Sequence, residues 1–319
     1  MKHWRLAIQI ILSIAILILL IQDADVGNIF SALEQSNWSW LFLALLLKTI
    51  ALFIHEYRLW LALNPPRPDI RKTMQIGFAS GAINLVFPGR AGDIAAIALL
   101  QKLCNLRSGV ATYAVGMAAF FEAAIFGLSL LAMLIIHAPE WKSILEESLY
   151  QHTFQSVTLL TFGGIAIAII AAIIGNRLQD SEAEEEGSFS PKVMLIDAFQ
   201  QTGKGLSKPS YIIINIIVAF VEVWLMIASF ALAFWALGID VATPWTISGL
   251  ILGFSAIAAI VLPPSVGAGT AAAAVFVLGL FGIESSLAIA YTALWWLISQ
   301  VPAAILGLPC VFLLRKESS

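Results

Sequence analysis

Charge is scarce in this sequence. Lys and Arg number 17 and Asp and Glu 20, together 12% of 319 residues, where a soluble domain carries about 25%. Hydrophobic residues make up 60%, and the mean hydropathy is +0.91. So little charge cannot dress a water-facing surface, and the chain reads as an all-α polytopic membrane protein. Cysteine is nearly missing. Cys104 and Cys310 fall near segment ends assigned to the cytoplasmic side below, which excludes a disulfide, and they have no metal-ligand spacing. Of the four histidines, His3, His137 and His152 are terminal or in loops, so no metal cluster is expected. No Ser-His-Asp, Cys-His or paired-carboxylate set converges, and no soluble catalytic domain interrupts the apolar segments. The expectation is therefore no enzyme, no catalytic residue and no cofactor. The net charge of −3 gives no reason to expect a nucleic-acid partner.

What is present is a series of apolar runs. A helix needs about 20 apolar residues to cross the hydrocarbon. Six segments qualify: 4–21, 38–61, 109–136, 155–175, 210–237 and 285–314. The first follows MKHWR and has no A-x-A-like site after it, so it reads as an uncleaved helix rather than a signal peptide. The last carries Pro302 and Pro309, which favour a kink or tilt. Four shorter runs remain, 73–87, 93–103, 245–262 and 269–282. They come in pairs, joined by PGRAGD (Pro88 to Asp93) and PPSVGAG (Pro263 to Gly269). Short arms around a Gly/Pro tip read as re-entrant hairpins over 73–103 and 245–282. The competing reading makes each arm a short spanning helix, giving eight or more spans.

Lys and Arg mark cytoplasmic ends. Lys2 and Arg5, then Arg67, Arg71 and Lys72, then Lys102 and Arg107, put the N-terminus and both ends of the first pair inside. Loops 22–37 and 137–154 are acidic and outside. Segment 176–208, with Arg177, Lys192, Lys204 and Lys208, is inside, and Arg315 and Lys316 close the chain inside. The second pair is flanked by Asp240 and Glu284 and enters from outside. An even number of crossings per pair gives the same sides, so length rather than charge favours hairpins. The result is an inverted-topology repeat in a single membrane domain, 1–319, in the inner (plasma) membrane. Residues 1–136 form the first repeat. The second begins with 137–175, is interrupted by the acidic linker 176–208, and resumes over 209–319. The acidic run QDSEAEEEGS reads as solvated loop.

The two tips are built alike. Pro88 and Pro263 each follow a bulky apolar residue (Phe87, Leu262) and precede a glycine four positions on (Gly92, Gly267). Paired Gly/Pro breaks in two halves are the best sequence pointer to a midplane transporter site. An arginine there costs at least about 2.5–3.5 kcal/mol unless paired or hydrated. Arg90 therefore either pairs with Asp93, Glu122 or Glu222, or uses its planar fork on a phosphate. Gly89 and Gly92 let a ligand approach the backbone. Asp93 reads as a helix N-cap. Glu122 and Glu222 sit half-way along apolar spans and serve as counter-ions for Arg90 or as a proton relay. Lys48 is free to snorkel to the outer face. His55, Glu56, Tyr57 and Arg58 fall at the inner interface with Trp60 as a belt residue. Tyr291, Trp295 and Trp296 form an outer belt or line a lipid path.

The stretches RLW (Arg58 to Trp60), NLVFPGRAGD, FFEAAIFG around Glu122 and LPPSVGAG resemble the lysylphosphatidylglycerol synthase transmembrane region, also called the flippase-like membrane domain family, over nearly the whole chain. That resemblance implies movement of a lipid across the bilayer, not its synthesis. On it, Arg58, Pro88, Gly89, Arg90, Gly92, Asp93, Glu122, Glu222, Pro263, Pro264, Ser265, Gly267 and Gly269 are the candidate lipid-binding residues. The chain departs from the family pattern in three places. Ile94 to Ala98 is wholly apolar where the family often has an arginine, Phe121 stands where an arginine often pairs with the Glu122 position, and Ala271 to Ala274 holds no acid. The expected function is a flippase- or scramblase-like transporter of an anionic phospholipid or polyprenyl-phosphate-type lipid, with the phosphate-bearing headgroup as ligand and a homo-oligomer left open. A secondary transporter of a small anion is the alternative. A lipid-modifying enzyme would have only Ser265, Arg90 and Asp93 at the hairpins to work with.

Overall fold

The computed structural model describes residues 3–22, 24–63, 67–87, 89–144, 146–178, 191–259, 262 and 266–318. Among them are thirteen helices and no strand: α1 (His3–Gln22), α2 (Val26–Glu34), α3 (Trp38–Ala62), α4 (Ile70–Val86), α5 (Ala91–Cys104), α6 (Ser108–Ile136), α7 (Ala138–Ile144), α8 (Glu147–Arg177), α9 (Pro191–Leu206), α10 (Pro209–Ala236), α11 (Pro244–Ala258), α12 (Ala268–Leu280) and α13 (Ser285–Ser318). Five of the six expected spans fall within helices, and the sixth, 210–237, overruns α10 by one residue. α3, α6, α8, α10 and α13 are each long and apolar enough to cross a membrane; α1 and α2, bent by 92° against each other, pass the same test only when taken together, for five or six spans. The protein is a multi-pass membrane protein.

Local chemistry sets the boundaries. The Asp25 carboxylate accepts from the N–H groups of Gly27 and Asn28, Asn37 caps α3 through Ser39, and Asp69 caps α4 through Lys72. Each satisfies donors that a helix start leaves free. Proline opens α10 and α11, where its missing N–H costs nothing. α13 runs unbroken through Pro302 and Pro309. The segment between the halves is helical over α9, which docks on α6 and α8 because glycines leave no side chain in the way. Gly109 lies against Asp197 and the Met194 carbonyl, Gly175 against the Phe199 carbonyl, and Gly203 against Asn176. The acidic run of that segment lies outside the described residues.

The four short runs are α4, α5, α11 and α12, of 17, 14, 15 and 13 residues. At 1.5 Å per residue they reach about 20–25 Å, short of the roughly 30 Å hydrocarbon thickness. The order of long helix, two short arms, long helix occurs twice, as α3–α6 and α10–α13. The two tips touch: the Gly89 N–H donates to the Ala259 carbonyl at 3.4 Å. α3 and α10 run antiparallel. Near one end the Asn37 N–H donates to the Ala236 carbonyl (2.7 Å), and near the other the Tyr211 hydroxyl donates to the Ala62 carbonyl (3.4 Å).

Two apolar cores flank this pair. One centres on Phe230, Phe234, Tyr291 and Trp295, with Phe230 and Trp295 stacked at 3.6 Å between centroids. The buried Tyr291 hydroxyl meets Ser248 and the Phe230 carbonyl. Tyr291 and Trp295 are thus core residues, because α10 and α11 cover the face of α13 that an exposed belt would need; Trp296 stays 39% exposed. The other core gathers Leu100, Tyr113, Phe121, Tyr211 and Ile227.

Candidate functional site

Between the first hairpin and helices α3, α6, α10 and α13 lies a cavity of about 280 Å³. Its ionisable lining is Lys48, His55, Glu56, Arg90, Asp93, Glu122 and Glu222. On α3 the lining positions 48, 51, 52, 55, 56 and 59 form one helical stripe. Gly77 of α4 leaves room for the Glu56 carboxylate, which a Cβ there would strike.

The first tip is held by a chain of polar contacts. Arg90 sits at the start of α5 with φ +56° and makes no side-chain cap. Its Nε lies 2.7 Å from Asp93 Oδ2. Asp93 Oδ1 accepts from Asn84 Nδ2 at 2.9 Å, and Asn84 Oδ1 accepts the Gly92 N–H at 2.7 Å. Gly92 is required here: a Cβ would run into the Ser80 carbonyl and Asn84. Asp93 belongs to the first turn of α5 and is not its N-cap, since Arg90 occupies that position and the carboxylate turns to Asn84 and Arg90. The Arg90 side chain remains 60% exposed. Gly89, at φ +71°, brings the tip's backbone to the second hairpin.

Deeper in the cavity, a second cluster joins three helices. His55 Nδ1 lies 2.8 Å from Glu222 Oε1 and 3.5 Å from Glu122 Oε2. The Arg58 guanidinium donates to Glu222 and to the Ala118 carbonyl and comes within 3.9 Å of Glu122. Arg58 is wholly buried, against 26% side-chain exposure for Glu122 and 3% for Glu222. The intramembrane acids thus pair with Arg58 and His55, not with Arg90. Arg58 is no interfacial anchor, because α6 and α10 close over the end of α3. Lys48 also turns inward: it is buried and stands 5.5 Å from the Phe230 ring centre.

The ligand atoms of His55, Glu122 and Glu222 lie within 4.8 Å of one another, a group the sequence reading did not assemble. Lys48, His55 and Glu56 are spaced by seven and one residues, and that common helical face was the available signal. Tetrahedral zinc does not suit the group. Two ligands of one tetrahedral zinc stand about 3.3 Å apart, given metal–ligand distances near 2.0–2.1 Å, and the 2.8 Å between His55 and Glu222 is a hydrogen bond. Arg58 also already holds Glu222.

The second hairpin supplies none of the cavity's lining among the described residues. Gly267 starts α12 at φ +74° beside Trp296, and Gly269 lets α12 approach Ala258 of α11. Pro88, Pro263, Pro264 and Ser265 lie outside the described residues.

On the far face of α6 runs a second, apolar cavity of about 460 Å³ between α6, α8 and α11, bordered by Phe120, Gly127, Gly164 and Phe254 and reaching His152 at one end. Comparison with curated proteins and with solved structures found no match. A family model described as the lysylphosphatidylglycerol synthase TM region matches residues 6–307; the protein belongs to that family.

Proposed function

We propose that this protein moves a lipid with an anionic headgroup, a phospholipid or polyprenyl phosphate, across the inner membrane, and is not an enzyme. The observation that carries the reading is the charged cavity beside the hairpin tips. Seven ionisable residues line it in a chain with five or six spans, and buried charge at that cost marks a substrate path. The short arms and the touching tips support hairpins that enter the membrane and turn back. The antiparallel α3 and α10, each leading one long-short-short-long set, support an inverted repeat. Irregular backbone at membrane depth is tolerated where it lines a cavity.

Arg90 is the proposed headgroup contact. It is exposed to the cavity and held by the single carboxylate of Asp93, so a phosphate can take Asp93's place on the guanidinium fork. The apolar cavity on the other face of α6 favours a lipid over a small soluble anion. Its α8 wall from His152 to Ile165 spans about 20 Å at 1.5 Å per residue, the scale of one acyl chain.

Fluorescent phosphatidylglycerol in proteoliposomes tests this. Arg90→Lys keeps the charge without the fork and should slow transport; Arg90→Ala should stop it. If Arg90 serves only to neutralise Asp93, the folded Arg90→Ala/Asp93→Asn variant will move lipid like the wild type, and the headgroup role is lost.

A further inference from the structure

We propose that the His55–Glu122 pair is a proton-binding site, and that one proton taken up there lets the cavity accept an anionic headgroup. The inference rests on the transport reading above but is argued from a charge count. The groups facing His55 can be named element by element. α3 brings Lys48, Glu56 and Arg58; the first tip and α5 bring Arg90 and Asp93; α6 brings Glu122; α10 brings Glu222. α4 presents Ser80 and Asn84 and α13 presents Ser299, all uncharged. Three cations therefore face four carboxylates, and one charge is left over. A lone charge inside an apolar medium is expensive. A proton on the only imidazole of the cavity lining closes the count.

The geometry says where that proton goes. Glu222 is sealed: it is 3% exposed and already holds the Arg58 guanidinium and His55 Nδ1. Glu56 is buried too, at 4% exposure, and Asp93 is held by Arg90 and Asn84. His55 and Glu122 are open, at 37% and 26% side-chain exposure. His55 Nδ1–H stays engaged with Glu222, so the exchanging proton resides on His55 Nε2, with the Glu122 carboxylate beside the ring as counter-ion. An N–H bond forms as an O–H bond of hydronium breaks, and water in the cavity relays the proton. With it the cavity is neutral, and an anion that displaces Asp93 from Arg90 meets no net repulsion. Without it, the anion enters a site already negative.

Four histidines in the chain make the test clean. Replacing His3, His137 and His152 leaves His55 as the single imidazole. In nanodiscs, ¹⁵N-histidine NMR should show its resonance titrating once as the pH is raised, and Glu122→Gln should move that midpoint. In proteoliposomes, transport of fluorescent phosphatidylglycerol should fall roughly tenfold per pH unit above the midpoint, and His55→Gln should flatten the profile. A histidine that does not titrate overturns the proposal, as does a flat wild-type profile matched by His55→Gln. If His55 titrates and responds to Glu122→Gln but no lipid moves at any pH, the proton site stands and the transport reading fails.

Discussion

At the scale of single residues, Arg58 carries the greatest consequence for stability. It is wholly buried and bonded to Glu222 and to the Ala118 carbonyl. Removing one partner of a buried pair strands the other, at about 3–5 kcal/mol. Arg58→Ala should therefore lower the thermal midpoint sharply in detergent-solubilised protein. The Arg58→Met/Glu222→Leu double change removes both charges and should recover most of that loss. If the single variant melts like the wild type, Glu222 is not held as a carboxylate by Arg58. Proximity to the end of an apolar run, which is all that the sequence offers at Arg58, suggests an interfacial anchor. Burial there depends on α6 and α10, whose positions no local pattern encodes. Asp93 was opaque for a similar reason. Its type and its place beside glycine fit an N-cap, but Arg90 adopts the left-handed conformation at that position and leaves the carboxylate to Asn84.

At the scale of elements, glycine decides which helices can touch. Gly307 of α13 lies against the Phe78 carbonyl and Ala82 of α4, with no room for a Cβ. Gly164 of α8 has nothing within 4 Å of an added Cβ. Gly307→Leu should force α13 off α4 and destabilise by about 1–3 kcal/mol, the usual cost of overpacking, whereas Gly164→Leu should leave the melting midpoint unchanged. Equal midpoints for the two variants would refute the α4–α13 contact. The four short arms were readable because Pro/Gly stretches bracket short apolar runs, and all four are helices in the structure. The docking of α9 was not readable: its partners are a backbone carbonyl, a side chain and glycines far apart in the chain, and such contacts leave no periodic trace.

At the scale of the whole molecule, orientation follows from where Lys and Arg cluster. With Cys104 and Cys310 replaced, single cysteines introduced in 24–37 and 137–144 should react with a membrane-impermeant maleimide on intact cells. Cysteines in α9 should react only after permeabilisation. Labelling of α9 from outside would reverse the topology.

The two tips meet through the Gly89 N–H and the Ala259 carbonyl, so the junction between the halves is written in main-chain atoms. Any residue other than proline can supply that donor and any residue can supply that acceptor. An alanine scan would therefore not report on that bond: Gly89→Ala keeps the donor, and any loss it shows comes from the positive φ that glycine tolerates. Nor is proline at position 89 a fair probe, since its ring enforces a negative φ where the chain has +71°. An amide-to-ester exchange at that bond deletes the donor alone, and it is atomic editing of the backbone that can reveal how the halves are latched.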